Sequence, residues 1–224
     1  GEGRSRTNIG LPGLQLELLK EIYKINQNIV LVVMSGRPLD LTWADKNIPA
    51  IIQAWHLGSK SGEAIAEVLY GDYNPSGKLT MSFPRNVGQV PIYYNFKNTG
   101  RPSTSIEQVT NSGYADVVNS PLYSFGYGLS YTNFKYSNLS IDNDKLDNNS
   151  KINISIDIEN TGFYTGKEVV QLYLRDIVGS IARPMKELKG FKIIELSPGE
   201  SQTVNFEIES SLLEFYTYNN KWEA

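Results

Sequence analysis

Cysteine is absent from this sequence of 224 residues, and the chain contains a single histidine, His56. The lack of cysteine excludes disulfides, thiol nucleophiles and zinc sites built from cysteine. One histidine cannot build a histidine-rich metal site by itself, and a structural role is the more common one for such a residue. We therefore expect neither a bound metal nor a cofactor.

Long apolar runs and basic clusters are also missing. The apolar runs span only about 4–8 residues, whereas a membrane-spanning helix needs about 20. The net charge is −3, and no group of Lys and Arg residues could grip phosphates or anionic lipid. The sequence therefore predicts no nucleic-acid partner and no membrane partner.

The first half of the chain alternates between helical and strand patterns. A helix is predicted where four aliphatic residues recur at helical spacing, at Leu14, Leu18, Ile22 and Ile25. Continuous apolar runs at residues 29–34 and 50–55 predict fully buried strands of a parallel sheet. A second helix follows, with four inward-facing residues, Ala64, Ile65, Val68 and Leu69. This alternation predicts an α/β unit over residues 1–103. We expect this unit to be only about half of a complete α/β domain.

The pattern changes after a Tyr-rich connecting segment at residues 104–132. From residue 133 the sequence reads as all-β, because apolar and polar residues alternate in several short runs separated by turns. The clearest run has isoleucine at every second position, from Ile152 to Ile158, as in a strand with one buried and one solvated face. The sequence predicts a fibronectin type III-like β-sandwich over residues 133–224, cut short at its last strand.

Several motifs follow one another along the chain: GEGRSRT at residues 1–7, LPGLQ at 11–15, SGRPL at 35–39, GDYNPSGKL at 71–79, FGYGLSYT at 125–132, NTG at 160–162 and VVQLY at 169–173. In this order they resemble glycoside hydrolase family 3, particularly its bacterial periplasmic β-glucosidases. The resemblance covers essentially the whole chain. It implies the C-terminal half of that family's α/β sandwich domain, followed by its fibronectin-like domain. It also implies an N-terminal TIM-like barrel in the parent protein, and that barrel would carry the Asp nucleophile.

Members of this kind cleave β-glycosides with retention of configuration. That reaction needs a nucleophile and a general acid/base, two carboxylates about 5–5.5 Å apart. Glu2 matches the position at which many relatives carry the acid/base, so the resemblance implies that role for it. On composition alone, Glu2 would be a solvated carboxylate near a chain end.

Four further residues are candidates for contacts with the sugar. Arg4 could bind sugar hydroxyls or orient Glu2, although a structural salt bridge would explain it as well. Tyr94, Asn98 and Arg101 lie in the irregular stretch, where aromatic faces and polar donors suit sugar binding. The alternative role for these three residues is a Tyr-rich contact between domains.

The leading hypothesis is the C-terminal part of a retaining exo-acting β-glucosidase, or of a β-xylosidase, acting on an oligosaccharide or β-glycoside. This part would supply the acid/base and one wall of the pocket to the barrel. The rival hypothesis is a carbohydrate-associated scaffold or binding module without chemistry. The resemblance also implies a periplasmic or secreted location.

Overall fold

The computed structural model describes residues 3–102, 111–147 and 150–223. The chain divides into two compact units. The first comprises residues 1–70, 79–94 and 99–127, as far as they are described. The second comprises residues 71–78, 95–98 and 128–224, within the same limits. The structure confirms an α/β part followed by a β-sandwich.

The first unit has the predicted alternation of helices and strands. Its elements are α1 (Gln15–Ile25), β1 (Val30–Val33), α2 (Thr42–Asn47), β2 (Ala50–Gln53) and α3 (Ser61–Tyr70). Strands β1 and β2 are parallel, with Val30 opposite Ala50 and Val33 opposite Gln53. Both strands are shorter than the apolar runs that predicted them.

The apolar face that the helical spacing predicted for α1 is largely exposed in the structure. Leu14, Leu18 and Ile25 are 72%, 61% and 89% exposed, and only Leu19 of this helix is buried. Helix α3 contains no buried residue, and the strands are only partly buried. The physical reason is the width of the sheet: two strands of four residues present too little surface to cover the helices on either face.

A small core nevertheless holds the first unit together. Its buried members are Leu19, Val33, Leu39, Leu41, Ala44, Ile48 and Phe83. Phe83 belongs to a segment whose backbone bonds to residues 122–127, with Leu79 N donating to the Tyr127 carbonyl and Phe83 N to the Tyr123 carbonyl, each at 2.8 Å. Tyr123 in turn donates a 2.7 Å hydrogen bond to Asp45, and burial together with this bond raises the pKa of the Tyr123 hydroxyl.

The second unit is the predicted sandwich. One sheet has the order β3-β4-β7, from Phe134–Ile141, Lys151–Asn160 and Ser201–Glu209, and the other pairs β5 (Gly166–Leu174) with β6 (Glu187–Leu196). A short hairpin, β8 (Phe215–Tyr216) and β9 (Trp222–Glu223), ends the described chain. The alternation in β4 is confirmed, because Ile154 and Ile158 are buried in the core between the sheets.

Eight residues of the GDYNPSGKL motif, 71–78, belong to this second unit. Asn74 donates from its amide to the Thr165 carbonyl at 3.0 Å and accepts from Tyr131 N at 2.8 Å. Lys78 forms a 3.0 Å ion pair with Glu168 on β5, and both side chains are largely buried. The motif is thus an integral part of the sandwich unit. The domain limits proposed from the sequence, at residues 103 and 133, stay predictions.

The charged side chain of Arg183, in the sandwich unit, is only 11% exposed. Its guanidinium lies 2.9 Å from a Glu187 carboxylate oxygen and 3.4 Å from one of Asp176. The ring of Phe215 lies beneath it, with 4.2 Å between the ring centre and the guanidinium carbon. Two carboxylates and an aromatic face together make burial of this charge tolerable.

Candidate functional site

A groove of about 790 Å³ opens on the first unit. Part of its wall is the segment that follows β1, including Met34, Gly36 and Arg37, and His56 contributes from the segment after β2. Arg4 and Arg6 line it from the start of the chain. In open α/β sheets, ligands bind in the crevice beyond the carboxyl ends of the parallel strands. The groove extends to that edge of the sheet, and this makes it the candidate site.

The segment at the start of the chain is held in place by backbone and side-chain hydrogen bonds. The Arg37 guanidinium donates to the carbonyl of Arg6 and, at 3.2 Å, to that of Asn8. The Arg6 guanidinium donates to the Gly10 carbonyl, four residues later, at 2.9 Å, and the Asn8 side chain accepts from Gly10 N at 2.7 Å. The Ile9 carbonyl accepts from Asp40 N at 2.9 Å. Residues 6–10 are therefore fixed to the loop that follows β1.

Trp55 and Gly36 determine where His56 lies. Trp55 has a φ of 51°, a left-handed conformation that is uncommon for any residue other than glycine, and it turns the chain just beyond β2. The His56 imidazole packs so closely on Gly36 that a Cβ there would lie 2.8 Å from Nε2. Glycine is therefore required at position 36 for this contact.

The groove carries positive charge. Three guanidinium groups line it, from Arg4, Arg6 and Arg37, and no carboxylate does so among the described residues. Guanidinium groups offer several hydrogen-bond donors in a fixed plane, which suits both sugar hydroxyls and carboxylates. A carboxylate placed among them would be favoured in its ionised form, so its pKa would fall unless desolvation opposed that effect.

The predicted site residues are only partly described. Glu2, the predicted acid/base, lies outside the described residues, two positions before Arg4. Arg4 is exposed and lines the groove, and its role toward substrate or Glu2 stays a prediction. The groove is thus lined by residues 4–6 of the GEGRSRT string.

The other three candidates lie elsewhere. Tyr94 belongs to the first unit and stacks on Phe125, with ring centroids 4.2 Å apart, and it does not line the groove. Arg101, also in the first unit, is exposed, and its carbonyl accepts a 2.6 Å bond from Ser112 N. Asn98 is exposed and belongs to the second unit. Their roles in sugar binding stay predictions.

Sequence reasoning missed Arg37 as a site residue. The signal was present in the SGRPL motif, but a motif does not reveal which chain segment an arginine will reach. The groove contains His56, the side chain in this sequence most suited to bind a metal ion. Among the residues that the structure describes, no group of three or more His, Asp or Glu side chains could hold a metal ion. In the same part of the chain, no helix has the length and apolarity to cross a membrane.

Comparison with family models gives two matches. Residues 1–131 match the model described as the glycosyl hydrolase family 3 C-terminal domain. Residues 168–224 match a fibronectin type III-like domain. The first match covers more than half of the chain.

Known proteins resemble the chain over its whole length. It is 46% identical over 224 residues to a periplasmic β-glucosidase of Salmonella typhimurium, covering 100% of this chain and 29% of that protein. It is 43% identical to a β-xylosidase of Formosa agariphila, over 93% of this chain and 28% of the relative. A crystal structure of a β-glucosidase from Listeria innocua in complex with glucose superposes with a TM-score of 0.93 at 38% identity, covering 99% of this chain and 31% of the other. The chain thus spans less than a third of the length of these relatives.

Proposed function

The chain belongs to the family defined by the glycosyl hydrolase family 3 C-terminal domain, and from that premise we propose that its parent protein is a retaining exo-acting β-glycosidase. This chain would be the C-terminal part of that enzyme. The observation that carries the proposal is the 46% identity to a β-glucosidase over all 224 residues of this chain, including residues 4–6, which line the groove. An N-terminal barrel of the parent protein would supply the nucleophile and the rest of the pocket.

In this proposal Glu2 is the general acid/base. Retaining hydrolysis proceeds by double displacement, in which one carboxylate attacks the anomeric carbon and the other protonates the departing oxygen. The acid must hold its proton near neutral pH, so its surroundings must desolvate it. The arginines of the groove oppose this by favouring the ionised form. We infer that closure against the barrel removes water from Glu2 and so offsets their effect.

The proposed substrate is a β-D-glucoside, cleaved at its non-reducing end. Two of the three relatives compared above are named β-glucosidases, and the one from Listeria innocua was crystallised in complex with glucose. A β-xyloside is the second candidate, because a relative at 43% identity is named a β-xylosidase. Comparing kcat/KM for nitrophenyl β-glucoside and β-xyloside in the full-length parent would decide between them.

Arg4 is proposed to bind sugar hydroxyls or to orient Glu2 from its place in the groove. Tyr94, Asn98 and Arg101 are proposed to contribute sugar contacts in the assembled enzyme. We also propose a periplasmic or secreted location, supported by the name of the Salmonella relative.

The test replaces Glu2 with Ala in the full-length parent. Loss of the proton donor should slow hydrolysis of a phenyl glycoside with a poor leaving group by roughly 10²–10⁴-fold. A dinitrophenyl glycoside needs no proton, so its first step should be nearly unaffected. Azide should then speed turnover and give a β-glycosyl azide, because azide attacks the glycosyl-enzyme without a general base.

Glu17→Ala is the matched control, since Glu17 is an exposed carboxylate on α1 of the same unit. It should leave both the leaving-group dependence and the azide response unchanged. If Glu2→Ala behaves like this control, the acid/base is another residue. If the unmodified full-length protein hydrolyses no β-glycoside, the rival scaffold function is supported instead.

A further inference from the structure

The charged side chain of Arg37 bonds the backbone of another segment. Its guanidinium donates to two backbone carbonyls, those of Arg6 and Asn8, and none of the ion pairs found among the described residues involves it. The Arg37 guanidinium is half-buried. A guanidinium that donates to backbone oxygens fixes the path of a chain segment, because its N–H groups point in defined directions within one plane.

The segment that Arg37 holds leads back along the chain toward Glu2. Residues 3–8 are exposed and have no helix or strand assigned to them. The bonds from Arg37 to the Arg6 and Asn8 carbonyls, and the bond from Asp40 N to the Ile9 carbonyl, tie this segment to the loop that follows β1. The Arg6 carbonyl lies only four residues after Glu2 in the sequence. Arg37 therefore fixes two carbonyls, at residues 6 and 8, of the segment that leads to Glu2.

Arg37 is itself rigidly placed. It follows β1 by four residues, and the Ser35 hydroxyl donates to its carbonyl at 2.9 Å. Ser35 accepts in turn from the Gln53 amide at 3.2 Å, at the end of β2. The chain of contacts thus runs from the carboxyl ends of both parallel strands, through Arg37, to residues 6–8.

We propose that Arg37 is a positioning residue for the general acid/base. This inference rests on the proposed function of Glu2. Arg37 fixes the carbonyls of residues 6 and 8, and so fixes the tether on which Glu2 is carried toward the scissile oxygen. The guanidinium transfers no proton and contacts no reacting atom. Its loss lets the tether drift, and drift of about 1 Å can cost about 10²-fold in a step that depends on alignment.

The test compares Arg37→Met with Arg85→Met in the full-length parent. Arg85 is a matched control, because it is also half-buried in the first unit and also donates to two carbonyls, those of Ser120 at 3.1 Å and Pro121 at 3.2 Å. Neither the Arg85 side chain nor its two partners line the groove. Both variants lose the same kind of anchor, at different places.

The readout is kcat/KM for aryl glycosides of graded leaving-group pKa. Arg37→Met should lower the value for poor leaving groups by about 10- to 100-fold and leave dinitrophenyl substrates within about threefold. Arg85→Met should change all substrates equally or not at all, because a loss of folded enzyme does not depend on the leaving group. Arg37→Lys keeps one donor and should show an intermediate slope.

A double variant separates this inference from the proposed function. If Arg37 acts through Glu2, adding Arg37→Met to Glu2→Ala should cost little more than Glu2→Ala alone. A normal slope for Glu2→Ala would contradict the proposed function. The expected slope for Glu2→Ala together with a uniform loss in Arg37→Met would overturn only the positioning role.

Hydrogen exchange provides a second readout that needs no turnover. Arg37→Met should speed exchange of the backbone amides at residues 4–10, whereas Arg85→Met should speed exchange near residues 118–121. Unchanged exchange at residues 4–10 in Arg37→Met, or in Arg37→Lys if the Met variant fails to fold, would also overturn the proposal.

Discussion

Replacement of Lys78 by Met tests whether the GDYNPSGKL motif stabilises the sandwich. The Lys78 ammonium lies 3.0 Å from a Glu168 carboxylate oxygen and 3.2 Å from the Gly128 carbonyl. The two charged side chains are only 16% and 10% exposed. The second oxygen of Glu168 accepts a 2.7 Å bond from the Tyr136 hydroxyl, and burial together with this bond raises the pKa of Tyr136.

The variant removes the cation and leaves Glu168 nearly buried without it. Removing one partner of a buried ion pair costs about 3–5 kcal/mol, and we expect about 2–4 kcal/mol here because Tyr136 still donates to the carboxylate. That loss corresponds to a change of roughly 30- to 900-fold in an equilibrium constant. Glu168 lies on β5, so the opening of this strand should become easier by that factor.

The assay is hydrogen exchange of β5 amides in the full-length protein, read by mass spectrometry. Lys151→Met is the control, because Lys151 pairs with Glu207 and Glu209 in the same unit while all three side chains are about half exposed. Exposed pairs contribute about 0–1 kcal/mol, so exchange should change little. Adding Glu168→Gln to Lys78→Met removes the unpaired charge and should restore much of the protection. Equal effects of Lys78→Met and Lys151→Met would refute this account of the motif.

Two further predictions concern the sandwich carboxylates and the isolated chain. Hydrogen bonds from Thr203 and Asn138 hold the pKa of Asp157 below its ordinary value. Asp157 therefore stabilises the fold above its unfolded-state pKa of about 3.9, and this contribution disappears as pH falls through the lower folded value; Thr203→Val should raise the pKa measured by carboxyl-carbon NMR, and no change would contradict the assignment. The 224-residue chain alone should not hydrolyse nitrophenyl glycosides, because double displacement needs a nucleophile that we place in the barrel; turnover at an ordinary enzyme rate would show that the chemistry lies within this chain.

The periodicity of apolar residues, every second residue in strands and at helical spacing in helices, predicted most of the fold. The isoleucines of β4 stand at every second position and all four face the core, where Ile154 and Ile158 are buried and Ile152 and Ile156 are partly buried, because successive side chains of a strand point to opposite faces. The helical spacing on α1 was also correct, since Gln15–Ile25 is a helix. Periodicity predicts which residues share a face, but it does not show what covers that face. For this reason the helical spacing of Leu14 and Ile25 did not reveal that both side chains are exposed.

The candidate site shows the same division. Position in a motif was enough to select Glu2 and Arg4, since both stand in the GEGRSRT string. No pattern indicated that Arg37 would bond the carbonyls of Arg6 and Asn8, because those partners lie 31 and 29 residues away in the sequence. Likewise, only the structure shows Lys78 pairing with Glu168, 90 residues later.

The sequence by itself determined the order of elements, the change from α/β to all-β, and the family to which the chain belongs. These properties are local or are carried by ordered motifs, so they can be read along one dimension. The tertiary structure decided which faces are covered, which charges are buried, and which loop holds the start of the chain. Those outcomes depend on contacts between residues far apart in sequence, and such contacts form only when the backbone path brings side chains within a few ångströms of each other.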